Sequence, residues 1–223
     1  MKDAPMLRGS LPVRFVALFF GLILFSAAIV AMLESGLGLP PWDVLHQGIA
    51  EHSPLTLGTA GIVAGVVILV VAWAIGAPPG FGTVANTIVI GAGIDIMAAL
   101  EPVRALSEAG LAARIGLVGT GIALFGVGSA FYIGAGLGAG PRDSLMLAIT
   151  RRTGRRIGLV RGGLEVTVLI VGLLLGGTAG LGTLALALLV GPSVEGSFWL
   201  VRRVGLAEST LRPIPEFGPL DVA

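Results

Sequence analysis

The sequence predicts an all-α membrane protein of six transmembrane helices. They form two inverted-topology three-helix repeats, with a short interfacial or re-entrant helix after the first helix of each repeat. Three observations predict it: a charge-poor, glycine-rich composition, six apolar runs of membrane-spanning length, and an ungapped internal similarity at an offset of one hundred residues.

Of 223 residues, 55% are hydrophobic and 12% charged, about half the charged share of an ordinary globular chain, which excludes a typical cytosolic protein. The formal charge is +1, so no chain-wide field points to nucleic acid as a partner. Cysteine is absent, and with it disulfides, thiolate zinc sites, iron–sulfur clusters and a cysteine nucleophile. The 36 glycines fall inside apolar runs, where they allow helices in lipid to approach closely.

A hydrocarbon core of ~30 Å needs roughly 20 residues of helix, and runs of that order cover 14–34, 57–76, 83–100, 115–133, 157–176 and 183–201. None alternates apolar with polar residues as a barrel strand would. The first run follows Lys2, Arg8 and Arg14, yet it is longer than the apolar region of a signal peptide, so a retained span is expected. Lys and Arg are held on the cytoplasmic side during insertion. With the N-terminus inside, all of them except Arg104 and Arg114 are cytoplasmic or at that interface. Segment 36–56 has no Lys or Arg, whereas 136–156 has five arginines, so these two segments should face opposite sides. The resulting organisation is a cytoplasmic N-terminus (1–13), a first repeat (14–100), an external linker (101–113), a second repeat (114–200) and a cytoplasmic tail (201–223). From Gly205 onward, with Pro213, Pro215 and Pro219, the tail reads as a disordered extension.

Sliding 14–100 onto 114–200 gives 22 identities in 87 pairs. Composition inflates such a count, but it does not align Pro41 with Pro141, Asp43 with Asp143, or Thr83 with Thr183. Three spans per copy turn the second copy upside down, in agreement with the arginines. Inverted repeats of three spans recur in secondary transporters, although architecture alone does not fix function.

The block G-x-G-x-x-P-x-D-x-L contains glycines that permit a tight turn, Pro41 and Pro141 at a first helical position, and Asp43 and Asp143 in the first turn, where a carboxylate meets free N–H groups. One reading makes these plain helix starts. The other makes the helices re-entrant, with N-termini aimed toward the bilayer centre; Arg142 opposes deep burial unless it pairs with an acid. GFGT and GLGT (80–83 and 180–183) read as tight turns with Thr83 and Thr183 as N-caps.

Counting ~1.5 Å per residue from Thr83 places Gly91 roughly 12 Å and Asp95 roughly 18 Å into the membrane, near the midplane. Gly191 and Glu195 lie at matching depths from the other side. Pro192 removes a backbone donor beside Gly191 and predicts a kink there. Such interruptions at corresponding positions of two halves point to a transport site, so Asp95 and Glu195 rank first as substrate or proton sites. Glu165 has Arg161 one turn earlier on the same face, which reads as a buried ion pair or, with Glu165 alone, as a proton-exchanging acid. Asn86, Thr87, Thr167 and Ser193 are further hydrogen-bonding candidates, or simply join helices. His46 and His52 fall in one external loop without a metal-binding spacing, so a surface location without metal is expected. Ser129 lacks a nucleophile pattern. No catalytic set and no cofactor are expected.

The duplicated P-x-D-x-L block, the GxGT turns and the three-plus-three arrangement resemble the YczE-type bacterial integral membrane proteins, related to the YitT-like group. The resemblance covers nearly the whole of 14–200 and is densest in PPWDVLHQGI (40–49), GPRDSL (140–145) and IGLVRGGLEVTVL (157–169). It implies a small, multi-pass bacterial cytoplasmic-membrane protein and carries no functional residues across.

The leading functional expectation is a secondary transporter of a small molecule, cationic or neutral and exchanged for protons, because intramembrane acids outnumber bases. The alternatives are a membrane scaffold or regulator, presenting the basic segment 150–156 to a partner or to anionic lipid, and a passive channel.

Overall fold

The computed structural model describes residues 6–108 and 110–207, and among them it contains nine α-helices and no strand. They are α1 (Leu11–Ser35), α2 (Pro41–Glu51), α3 (Leu57–Ala74), α4 (Phe81–Ala98), α5 (Glu101–Arg104, continued by a 3₁₀ turn), α6 (Leu111–Gly134), α7 (Pro141–Thr153), α8 (Ile157–Leu174) and α9 (Leu181–Arg203). Five of them, α1, α3, α4, α6 and α9, are long and apolar enough to cross a membrane. α8 has 18 residues and carries Arg161 and Glu165 in its first half. Every expected apolar run overlaps one of these six helices, with ends shifted by a few residues. The disordered extension expected of the tail lies almost wholly outside the described residues.

α1 and α6 form an antiparallel spine. Near the start of α1, Arg14 donates through Nε to the carbonyl of Ala135 at 2.7 Å and through a terminal nitrogen to that of Gly136 at 3.0 Å, just past the end of α6. Near the start of α6, Arg114 donates through Nε to the carbonyl of Ser35 at 2.5 Å, at the end of α1. Each arginine satisfies carbonyls that a helix C-terminus leaves unpaired, where cations are also favoured by the dipole. The helices can touch because glycine lies at the crossing: a Cβ on Gly21 would come within 2.6 Å of the Tyr132 backbone nitrogen. Phe25 and Phe125 meet edge-on at 4.5 Å, within a core of Ile29, Met32, Ile94, Ile122 and Leu186.

α4 packs on α1, and α9 packs on α6. At the first crossing Ser26 donates to the carbonyl of Ile90 at 3.3 Å, in the room left by Gly93. At the second, Ser193 donates to the carbonyl of Ile122 at 2.9 Å, in the room left by Gly126. The serine and glycine have changed places between the copies. The connecting segments also interlock: Gly82 N–H donates to Leu137 at 2.8 Å and Gly182 N–H to Leu37 at 2.7 Å.

α2 packs against α3 and α8, and α7 against the same two helices. One correspondence is missing. α3 lies along α4, whereas α8 and α9 make no comparable contact.

Thr83 and Thr183 are not the N-caps expected. The caps are Gly80 and Gly180, whose N–H groups donate to the threonine hydroxyls three residues on, at 3.2 and 3.1 Å. A glycine cap admits the close approach of the facing segment: a Cβ on Gly180 would come 2.5 Å from the Leu37 carbonyl.

Candidate functional site

The chain leaves α1 and α6 through glycines with positive φ, Gly36 and Gly38 in one copy and Gly136 and Gly138 in the other, a region L-residues rarely adopt. These turn the backbone into α2 and α7, whose first residues are Pro41 and Pro141. Although α1 and α6 end at opposite ends of the spine, the starts of α2 and α7 meet. A terminal nitrogen of Arg142 lies 3.6 Å from Asp43 Oδ1, and its guanidinium stacks over Trp42 at 5.1 Å.

α3 serves as a ruler for this junction. The ring of His46, on α2, faces Gly61 in the second turn of α3. Leu145 and Ala148 of α7 cluster with Ala72 near its far end. The two contacts are separated by roughly 16 Å of helix, and Asp43 and Arg142 meet between them.

Asp43 is 1% exposed. Its Oδ1 is hydrogen-bonded to His46 Nδ1 at 3.1 Å, while its Oδ2 is buried without a partner among the described residues. A buried carboxylate oxygen left in that state is costly, and a donor group placed there would relieve it. The second copy supplies Asp143, which the charges of Arg161, Arg142 and Glu165 reach. Tyr132, also buried, accepts the N–H of Gly140 at the start of α7. Asn86 faces the same glycine, its Oδ1 3.4 Å from where a Cβ would sit. The cluster therefore offers carboxylate, imidazole, guanidinium and amide groups between two helix N-termini.

Asp95 and Glu195 are not brought together. Asp95 sits in the last turn of α4 and accepts from Thr56 Oγ1 at 2.5 Å and from Gly58 N–H at 2.9 Å. It caps the start of α3 at the edge of the bundle rather than lining its middle, because α4 ends at Ala98. Glu195 is exposed on α9. Gly91 packs on Gly58, whereas Gly191 faces open space; α9 runs on through Pro192.

Arg161 and Glu165 do form an ion pair, at 3.4 Å, but their side chains are 61% and 38% exposed, so the pair is not buried. Thr87 and Thr167 donate to carbonyls of their own helices, those of Thr83 and Gly163. His46 is the clearest correction. It was expected at the surface and is 6% exposed, because α2 tucks that face against α3. Its partner Asp43, three residues earlier, is one turn away on the same side. Tyr132 escaped the sequence reading. Its signal is that it is the single tyrosine in the chain, and a buried tyrosine hydroxyl needs a partner.

The model of a family of unknown function, DUF6198, matches residues 12–197. An uncharacterized membrane protein of Bacillus subtilis, YczE, is 36% identical over 192 residues, covering 83% of this chain and 85% of that protein. An uncharacterized protein of Haemophilus influenzae is 36% identical over 179 residues, 80% of each chain. A second Bacillus subtilis protein, the uncharacterized YyaS, is 27% identical over 193 residues, 83% of this chain and 96% of its own. No solved structure matches. The chain belongs to the DUF6198 family and is a membrane protein with several apolar helices.

Proposed function

We propose that this member of the family is a secondary transporter that binds a small cationic or neutral molecule at the junction of α2 and α7 and exchanges it for protons. The observation that carries the reading is the buried Asp43 carboxylate, held by His46 and Arg142 and left with one unpartnered oxygen. Acids inside membrane proteins are expensive and mark ion or substrate paths. Helix N-termini meeting between two copies of one unit are characteristic of transporter sites. In this reading α8 is the sixth span, the copies are inverted, both termini are cytoplasmic and the membrane is the bacterial inner membrane. The pairing of Leu7 with Ala207, which puts the two terminal segments at one end, supports that sidedness. No enzymatic role and no cofactor are proposed.

The test is proteoliposome flux with a pH-sensitive dye inside, challenged with a panel of small amines and neutral polar solutes. Saturable, proton-linked uptake that Asp43→Asn abolishes supports the proposal. Uptake that does not saturate points to a channel. A second reading, a scaffold or regulator, is favoured by the exposed arginines 152, 155 and 156 beside the end of α7. It prevails if no solute moves and a partner is lost when that segment is neutralised.

A further inference from the structure

The helix pairs α3–α4 and α8–α9 occupy corresponding places in the two copies, and they differ. The first is closed. A Cβ on Gly58 would strike the carbonyl oxygen of Gly91, one on Gly91 would come 2.6 Å from the carbonyl oxygen of Gly58, and one on Gly65 would come 2.6 Å from Thr87. Asp95 fastens the end of α4 to the start of α3 through Thr56 and Gly58.

One hundred residues on, the two glycines and the acid are present and apart, while Glu165 and Ala187 stand where Gly65 and Thr87 stand. Gly158 and Gly191 correspond to Gly58 and Gly91, yet a Cβ on either would meet nothing within 4 Å among the described residues. Glu195 corresponds to Asp95 and is exposed; Arg156 stands where Thr56 stands and is also exposed. Gly162 replaces Ile62, the side chain that fills the closed pair at Gly91, and it too faces open space. An exposed acid among glycines on an apolar helix is an unfavourable surface in lipid. The residues that would relieve it by contact are already opposite one another in sequence.

We infer that α8–α9 is a gate held open in this structure, and that it closes as α3–α4 is closed. Gly158 comes onto Gly191, and Glu195 caps the start of α8 beside Arg156. In exchange, Asp95 releases Thr56 and Gly58, and α3 parts from α4. A carboxylate at a helix N-terminus is stabilised by free N–H groups and the dipole in either copy, so the two states hold similar contacts and exchange which half is locked. Asp95 and Glu195 are then positioning residues of two gates rather than ligand-binding acids. The inference deepens the transport reading by supplying its two access states.

The cysteine-free sequence makes the test direct. In native membrane vesicles, Glu165→Cys with Ala187→Cys is oxidised with copper phenanthroline, and the disulfide is located by proteolysis; these positions correspond to Gly65 and Thr87, where a Cβ on Gly65 would lie 3.5 Å from that of Thr87 in the closed pair. A disulfide needs Cα atoms within about 7 Å. An intrachain bond is expected, forming roughly tenfold faster with Asp95→Asn and roughly tenfold slower with Glu195→Gln, the size of one hydrogen bond to a charged group. Absence of the bond, a bond only between chains (a second copy covering this face), or rates indifferent to Asp95 overturns the inference. Spin labels at exposed Leu159 and Leu200, introduced through cysteine, provide a readout that avoids the glycines. Two distances whose populations shift with Asp95→Asn are expected, and a single unshifted distance overturns the gate. Neither measurement uses a transported solute. A failed flux assay alongside a positive cross-linking result therefore removes the transport reading and leaves the gate.

Discussion

Replacing Arg142 by methionine removes the one guanidinium that faces the buried Asp43 carboxylate while keeping most of the apolar stem that lies on Trp42. At 3.6 Å, two unit charges attract by ~4–5 kcal/mol at an effective dielectric of about 20. Two features reduce that figure. The Arg142 side chain is 32% exposed, so water screens part of the field, and His46 still bonds Oδ1. Breaking a buried pair from one side costs roughly 3–5 kcal/mol, and the lower end, about 3 kcal/mol, is expected here. Asp43→Asn in the same background removes the stranded charge, so the double variant should recover about 2 kcal/mol of that loss. The assay is reversible unfolding in mixed micelles, run as a four-member cycle and followed by circular dichroism. Losses that simply add would refute the pairing, since residues that share one electrostatic interaction must show coupling.

Gly58→Ala should destabilise by about 2–3 kcal/mol, through the clash with Gly91; Gly158→Ala, in open space, should be neutral or stabilising by up to ~1 kcal/mol. The two melting midpoints decide it. Arg14→Ala strips two carbonyls of their donor and should cost about 2–3 kcal/mol, seen as a lower midpoint in the same micelles. Tyr132→Phe leaves the Gly140 N–H without its partner. It should cost about 1–3 kcal/mol and, because Gly140 starts α7, should speed hydrogen exchange there before it affects α1. Single cysteines at the exposed positions Glu51 and Arg152 should react with an impermeant maleimide from opposite faces of the membrane. Labelling of both from one face would remove the inverted arrangement.

Much of the architecture was legible because most of the helices are long and apolar, and because Pro41, Asp43, Pro141 and Asp143 recur at a fixed offset. The motif thus identified the helix starts that form the central cluster. It did not identify their partners, which come from the other copy. Arg142 argued against burial until Asp43, 99 residues away in the chain, appeared beside it. Asp95 was placed by counting along a helix as though its middle were the membrane's middle. α4 ends only three residues later, so an acid there reaches the neighbouring helix start instead. His46 was hidden because a short helix between two spans reads as a loop exposed to water. Only the packing of α2 on α3 reveals that its polar side is turned inward. The difference between α3–α4 and α8–α9 has a partial signal in the aligned residues: Gly61 and Gly65 of α3 are replaced by Arg161 and Glu165 in α8.

The transposed serine and glycine, Ser26 with Gly93 and Gly126 with Ser193, limit how this chain can be recombined. Each half carries a matched pair of its own, so a whole half can be exchanged for its counterpart from a relative without disturbing the fit. Grafting a lone fourth helix in place of the ninth would set glycine against glycine, leaving a hole and removing the serine bond between the helices. The reverse graft would force two hydroxymethyl groups into room for one. The heritable building block is accordingly the half, not the single helix.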